Sequence, residues 1–373
     1  MSRDQGAGVY LDHNATAPLR PEVRTALIAA MDQIGNPSSI HAVGRRARAM
    51  VDRAREAVAT LVGAEPDRVI FTSGGTEANN LALRGGGRSR VAVSEIEHPC
   101  VLKARLDADL LAVDSNGLID REDLAEFLAD AGADGHVAVM LANNETGVLE
   151  PAAEIAALCR EAGALFHCDA VQAAGKLDDI TLAGTGADSV TLSGHKVGAP
   201  AGIGALVLAD RFDPAPEILG GGQERGYRAG TENLLGIVGF GAAIEAILDH
   251  GLAERVRIEA LRDRLEAGIV ALSSDIIIHG REVARLPNTI CAGTPGLSAD
   301  RMVMKLDLAG VRVSAGSACS SGKVTPSHVL SAMGCDPTAA TEAIRISLGW
   351  NTTEDDVDTT LQALERIFAR RAG

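Results

Sequence analysis

The chain has 373 residues, 46% of them hydrophobic, enough to bury a large core and to form two domains of roughly 100 to 200 residues each. A net charge of −15 and an aromatic content of 2% weigh against a nucleic-acid surface, which needs a basic face and stacking rings. The start lacks the apolar stretch of a signal peptide and no run approaches the ~18 apolar residues of a membrane span, so the expectation is a cytoplasmic protein with no membrane or direct nucleic-acid partner.

Short apolar runs bounded by turn residues predict strands at 68–72, 90–94, 137–142, 164–169, 189–193 and 204–208. Helical spacing fills 76–84, 120–132 and 151–162 between several of them. Such alternation describes an α/β fold with a mainly parallel sheet flanked by helices, whose ligand sites gather at the carboxyl ends of the strands. An Arg- and Glu-rich helical tract from about 232 to 273 then gives way to strands at 276–278, 289–292 and 311–314 and helices near 298–309, 325–333 and 353–370. These read as a smaller α+β domain. The expected division is 15–255 for the large domain, and 1–14 with 256–373 for the small one.

The residues with chemical content sit at strand ends. Only five lysines stand among the 35 basic residues, and Lys196 closes Ser193-Gly-His-Lys196 just after a strand. A glycine-rich run to Gly204 follows, which suits a Schiff-base lysine held beside a phosphate. Burial or a neighbouring cation would activate its amine, although a surface lysine after a strand has the same signature. Ser73-Gly-Gly-Thr76 reads as a glycine turn opening a helix, whose free amides and dipole favour a phosphate dianion; an ordinary N-cap reads alike. Asp169 ends another strand, as partner of a pyridinium nitrogen or as a helix cap. The six cysteines, at 100, 159, 168, 291, 319 and 335, form no C-x-x-C pair and no metal ladder, so no metal site is expected. Five read as small core residues. Cys319, in Ser314-Ala-Gly-Ser-Ala-Cys319-Ser-Ser-Gly322, has surroundings too polar for a core and reads as a reactive loop thiol.

Read together, these segments resemble the pyridoxal-phosphate (PLP) cysteine desulfurases of the NifS/IscS type, group I, within the class-V aminotransferase family. The likeness runs in order through Tyr10-Leu-Asp-His-Asn-Ala-Thr-Ala-Pro18, Gly35-Asn-Pro-Ser-Ser39, Thr72 to Asn80, Glu97-His98 and Asn143-Asn-Glu-Thr-Gly147. It continues through Asp169-Ala-Val-Gln172, Ser193 to Lys196, Gly220 to Thr231, Ser317 to Gly322 and Ile344 to Gly349. The Ser-Ala-Cys-Ser-Ser-Gly segment is its specific part, because related aminotransferases lack that cysteine.

The resemblance implies PLP-dependent transferase fold type I and the conversion of L-cysteine to L-alanine, with the sulfur held as a persulfide on Cys319. It implies that Lys196 carries PLP and moves protons, that His98 stacks on the ring and acts in acid–base steps, that Asp169 pairs with the ring nitrogen and that Gln172 meets the phenolic oxygen. Gly75, Thr76, Ser193 and His195 match the phosphate cradle, joined by Thr231 from the other subunit of a homodimer. Arg345, Asn144 and Asn36 match the substrate-carboxylate site, and Asn144 also adjoins the cofactor. The sulfur acceptor, possibly an iron–sulfur scaffold, stays open, since the stretch after Asp358 is shorter than the scaffold-docking tail of housekeeping relatives. His13, Ala17, Ala201 and Trp350 depart from the family's usual residues, at positions expected to lie away from the chemistry. Rival readings are an aminotransferase, a β-lyase such as selenocysteine lyase, or a non-catalytic sulfur carrier.

Overall fold

The computed structural model describes residues 8–316 and 325–369. The chain opens with β1 (Val9–Tyr10), α1 (Pro21–Met31) and α2 (Ala42–Val62). There follow β2 (Val69–Thr72), α3 (Gly75–Gly85), β3 (Arg90–Ser94), the one-turn α4 (Pro99–Leu102), β4 (Asp109–Leu111), α5 (Arg121–Ala131) and β5 (Gly135–Met140). Next come α6 (Ala152–Ala162), β6 (Leu165–Asp169), α7 (Leu182–Thr185), β7 (Ser189–Ser193) and β8 (Gly204–Leu208). The long α8 (Leu234–Leu272) leads to β9 (Ile277–Ile278), β10 (Thr289–Gly293), α9 (Ala299–Leu308), β11 (Val311–Arg312), β12 (Ser314–Ala315), α10 (His328–Ala332), β13 (Ala343–Ser347) and α11 (Glu354–Ala369).

Seven strands form one sheet in the order β2-β8-β7-β6-β5-β3-β4, and only β8 runs antiparallel to its neighbours. This is the mainly parallel α/β sheet that the sequence predicts. Its strands are apolar on both faces because helices cover both: Ala92, Val137, Phe166, Val190 and Val207 are all fully buried. The parallel strands β5, β6 and β7 end at Met140, Asp169 and Ser193, so the side chains that follow them share one edge. At that edge the backbones crowd. A Cβ on Gly204 would lie 2.7 Å from a backbone atom of Gly74, which leaves glycine as the residue that fits between the start of α3 and β8.

A second sheet has the order β12-β13-β10-β9, and β1 pairs with β11 beside it. The single strand expected at 311–314 divides at Val313, because β11 pairs with β1 while β12 turns to β13. The helix α8 corrects the expectation that no segment could span a membrane. It is long and apolar enough by length and composition, since only Glu245 and Asp249 interrupt its first eighteen residues. Half of its most apolar window is buried, and it packs against α1, α2 and α11.

Candidate active site

A cavity of about 330 Å³ opens at the carboxyl ends of β5, β6 and β7, and Lys196, Asp169, His98, Arg345 and Gln172 all line it. Gly75, Thr76, Asn144, Ser193 and His195 line it as well, so ten residues singled out by the sequence come together from segments up to 270 positions apart (75 to 345). Asn36 and Thr231 do not. Asn36 is exposed and accepts a hydrogen bond from the Ser38 amide at 2.8 Å, while Thr231 lines a separate cavity of about 100 Å³ with Arg228 and Glu232. Cys319 lies outside the described residues.

Lys196 follows β7 and turns back under the N-terminal segment. Its Nζ donates to Asn14 O at 2.6 Å and to Ala15 O at 2.9 Å. Two neutral carbonyls do not offset a buried charge, so burial, and then the Arg345 guanidinium, lower its pKa to about 8. Asp169 is 6% exposed; Oδ1 accepts from the Val171 amide at 2.9 Å and Oδ2 from Asn79 Nδ2 at 2.7 Å. Burial raises its pKa, and these two hydrogen bonds oppose the rise. The cap reading of Asp169 therefore describes one oxygen only, since the other faces the cavity wall.

The start of α3 is an open anion site. Its N-cap is Gly74, which makes no side-chain cap, and Thr76 lies inside the helix, so the capping alternative raised by the sequence is not realised. The first-turn amides have no acceptor within the helix. A Cβ on Gly75 would meet Val171 Cγ2 at 2.9 Å, which explains the glycine there.

His98 caps α4. Its Nδ1 accepts from the Cys100 amide at 3.2 Å and lies 3.0 Å from Cys100 Sγ. Desolvation in the cavity, then Lys196 and His328, lower its pKa, which favours the neutral ring. The accepting Nδ1 places the ring proton on Nε2. His195, lowered to about 4 by burial and then Lys196, is also neutral.

Arg345 stands on β13 and is 4% exposed. Nη1 donates to Asn144 O at 3.0 Å and Nη2 to Asp12 Oδ1 at 2.8 Å, while Nε is buried without a partner among the described residues. Gln172 donates from Nε2 to Asn14 O at 2.9 Å, and its Oε1 accepts from Lys176 Nζ at 2.9 Å.

Three of the five cysteines expected in the core are fully buried, at 159, 168 and 291, and Cys335 is half-buried at the edge of a cluster with Val329 and Leu330. Cys100 corrects that expectation: it lines the cavity, because Pro99 starts a one-turn helix at the sheet edge and its second position faces inward. Burial pushes this thiol up to about 12. The sequence reading also missed Asn14, Asn79 and Lys176. His13, Ala17 and Trp350, expected away from the chemistry, line a cavity of about 40 Å³ that Lys196 lines too.

The 220–231 segment is fixed from inside. Glu224 pairs with Arg55 through two hydrogen bonds of 2.7 and 2.8 Å and accepts from the Phe71 amide at 2.8 Å, with both side chains buried. Glu224 and Arg225 take left-handed backbone angles, φ 45° and 57°, which non-glycine residues rarely adopt.

With this geometry in view, the model of the aminotransferase class-V family matches residues 9–360. The chain belongs to that family. It is 43% identical to a cysteine desulfurase of Cereibacter sphaeroides, over 96% of this chain and 95% of the relative. Its fold matches the X-ray structure of a NifS-like protein from Rickettsia africae with a TM-score of 0.90 and 36% identity, covering 97% of this chain and 99% of the other. A structure of SspA in complex with cysteine matches with a TM-score of 0.78 and 30% identity, over 91% of this chain and 98% of that one. The resemblance to NifS/IscS-type cysteine desulfurases and the type I transferase fold are borne out. The cofactor of this class-V group is PLP.

The cavity suits that cofactor. Among the described residues that line it, Asp169 is the one carboxylate, against the cations Lys196 and Arg345 and the uncapped first turn of α3. That balance favours a dianionic phosphate carried on a ring that needs one buried anionic partner.

Proposed function

We propose that the protein converts L-cysteine to L-alanine, takes the substrate sulfur as a persulfide on Cys319 and passes it to an acceptor protein, for iron–sulfur cluster assembly or another sulfur product. The observation that carries this reading is one cavity gathering a low-pKa lysine, a buried carboxylate, a neutral imidazole and a buried arginine, in a chain whose sequence also holds the Ser-Ala-Cys319-Ser-Ser-Gly segment. Its location would be the cytoplasm.

Lys196 would hold PLP, with Asp169 at the ring nitrogen, Gln172 at the phenolic oxygen and His98 on the ring face. The phosphate would take the amides of Gly75 and Thr76, with Ser193 and His195, and Thr231 from a second copy. When bound, PLP supplies an electron-poor ring that stabilises the negative charge left by loss of the α-proton.

The chain's own residues then divide the work. Arg345, with Asn144, orients the substrate carboxylate, and Asn36, exposed outside the cavity, could join only by a movement of its loop; among the described residues the Arg345 Nε hydrogen has no acceptor. Lys196 Nζ takes the α-proton and returns one, and its lowered pKa keeps a share of the amine neutral for that purpose. The Nε2 proton of His98 is the one available to a leaving group. The Cys319 thiolate would attack the substrate sulfur: an S–S bond forms, the C–S bond breaks with its electron pair going to the substrate Cβ as leaving group, and protons delivered by cavity groups such as His98 Nε2–H and Lys196 complete the methyl and α positions of alanine. The expected test result is stoichiometric alanine and protein-bound persulfide from L-cysteine. Alanine without persulfide would establish the lyase reading, and neither product the carrier reading.

Asp169→Asn is expected to retain PLP but to turn over more slowly, because a neutral amide stabilises a protonated ring less. A change of two to three pKa units in that pairing corresponds to roughly a hundredfold or more in rate. Steady-state kinetics at native turnover would leave Asp169 as a turn cap only.

The resemblance gives Thr231 to the phosphate, and its position outside its own chain's cavity supports the reading that it serves the cavity of a second copy in a homodimer. Met31, Ile34, Ile40 and Leu219 are at least 66% exposed, apolar area of the kind that a partner covers. PLP affinity is expected to fall on dilution into the monomer range. Sedimentation of a monomer that holds PLP as tightly would refute a shared site.

A further inference from the structure

A chain of buried hydrogen bonds runs from β7 through β6 to α3 and ends on Asp169. His167 Nδ1 lies 2.8 Å from Ser189 Oγ across paired positions of β6 and β7, and His167 Nε2 lies 2.9 Å from Asn79 Oδ1. Asn79 Nδ2 reaches Asp169 Oδ2 at 2.7 Å and Cys100 Sγ at 3.2 Å. Asn79, His167 and Ser189 have no solvent exposure.

The direction of this chain is determined by counting hydrogens. Both amide hydrogens of Asn79 point to acceptors, the Asp169 carboxylate and the Cys100 sulfur, so its oxygen must accept. His167 therefore carries its proton on Nε2. Its ring is neutral, because burial, and then His136, lower its pKa to about 3. The bare Nδ1 then accepts from the Ser189 hydroxyl. Every donor in the series points toward the carboxylate.

The opposite setting is also self-consistent. If Asp169 were protonated on Oδ2, Asn79 would have to present its oxygen there and turn its NH₂ toward His167, whose proton would then move to Nδ1 and point at Ser189. A bare Asp169 Oδ2 and the Nε2–H tautomer of His167 thus belong to one arrangement. The other charged or titratable groups near Asp169 are His98 and Lys196, which favour its anion, with Glu97, Cys100 and Cys168 opposing.

We infer that Ser189, His167 and Asn79 are positioning residues that hold Asp169 as an acceptor-only carboxylate within the sheet edge, so that it can keep the cofactor ring nitrogen protonated. The inference rests on the pairing of Asp169 with PLP proposed above. It assigns a purpose to His167, which does not line the cavity, and to Asn79, which lines it and carries the relay to Asp169. A hydrogen bond to an ionised acceptor is roughly twice as strong as one between neutral groups, and a chain of aligned donors strengthens its last member.

The test uses the full-length protein and ¹⁵N NMR. In the wild-type apoenzyme the His167 ring is expected to show the Nε2–H tautomer between pH 6 and 9; the Nδ1–H tautomer would overturn the assignment without any variant. In the holoenzyme loaded with ring-¹⁵N PLP, Asn79→Leu and His167→Phe are expected to lower the pH at which the ring nitrogen loses its proton by about one unit or more, a tenfold change in the equilibrium. His167→Gln, which can still donate to Asn79, should restore most of the native midpoint. Variants that melt earlier but keep the native midpoint would reduce the chain to packing and refute the inference. Asp169→Asn separates the two levels. If it leaves the ring nitrogen protonated, the pairing of Asp169 with PLP is wrong; if it abolishes protonation while Asn79→Leu and His167→Phe do not, only the relay is wrong.

Discussion

Cys319→Ser is expected to bind PLP as the native protein does, to respond spectrally to L-cysteine, and to form alanine more slowly by orders of magnitude with no protein-bound persulfide. The substitution exchanges one atom, sulfur for oxygen, at nearly constant size. A serine hydroxyl is a weak nucleophile at neutral pH and cannot hold a second sulfur, so the reaction should stop before the C–S bond breaks. The residues that line the 330 Å³ cavity are unchanged, which leaves cofactor and substrate binding intact. The glycine- and serine-rich composition of 314–322 predicts a change in stability within about 0.5 kcal/mol. Alanine release at the native rate would remove Cys319 from the mechanism and put a lyase or aminotransferase in its place.

Lys196→Ala is expected to abolish turnover and the covalent hold on PLP, since a methyl group can neither bond the cofactor nor move a proton. Borohydride reduction and peptide mapping of the native protein should find the phosphopyridoxyl group on Lys196. Finding it on Lys103, Lys176, Lys305 or Lys323 would end the assignment. The pH dependence carries a sign. With a pKa lowered to about 8, roughly a tenth of the Lys196 amine is neutral at pH 7, against fewer than one in a thousand for an ordinary lysine. The rate at which the apoenzyme captures PLP should therefore rise with pH and level off above about 8. A rise that continues through pH 10 would mean an unperturbed lysine.

Much of the fold was legible because its information is local. β2, β3, β6, β7 and β8 lie within one residue of the predicted strands, since apolar runs between turns mark strands buried on both faces. The helix α2 was not anticipated, although Ala47, Val51, Ala54, Val58 and Val62 repeat at helical spacing and Gly63 closes it. There the signal was present and went unread. The site divides in the same manner. Lys196, Asp169 and Thr76 each follow a strand and carry a local signature. His98 and Arg345 entered through resemblance alone, because a histidine before a proline and an arginine on a strand look ordinary until long-range contacts place them in one cavity. Asn14 offers Lys196 only a backbone carbonyl, 182 positions away, which no side-chain pattern can announce. Asn79 lies inside a helix, and its meaning comes from Asp169, 90 positions distant.

The pairing of Arg55 with Glu224 bears on how two copies would meet. Two consecutive left-handed residues cost roughly 1–2 kcal/mol each, and a chain free to relax would abandon them. The interior clamp opposes that relaxation at Glu224, within the single subunit. Association then need not freeze a loose surface, and the entropy that a disordered segment would surrender at the moment of contact has already been surrendered during folding. If two copies pair as proposed, this part of each face would then need little rearrangement on contact.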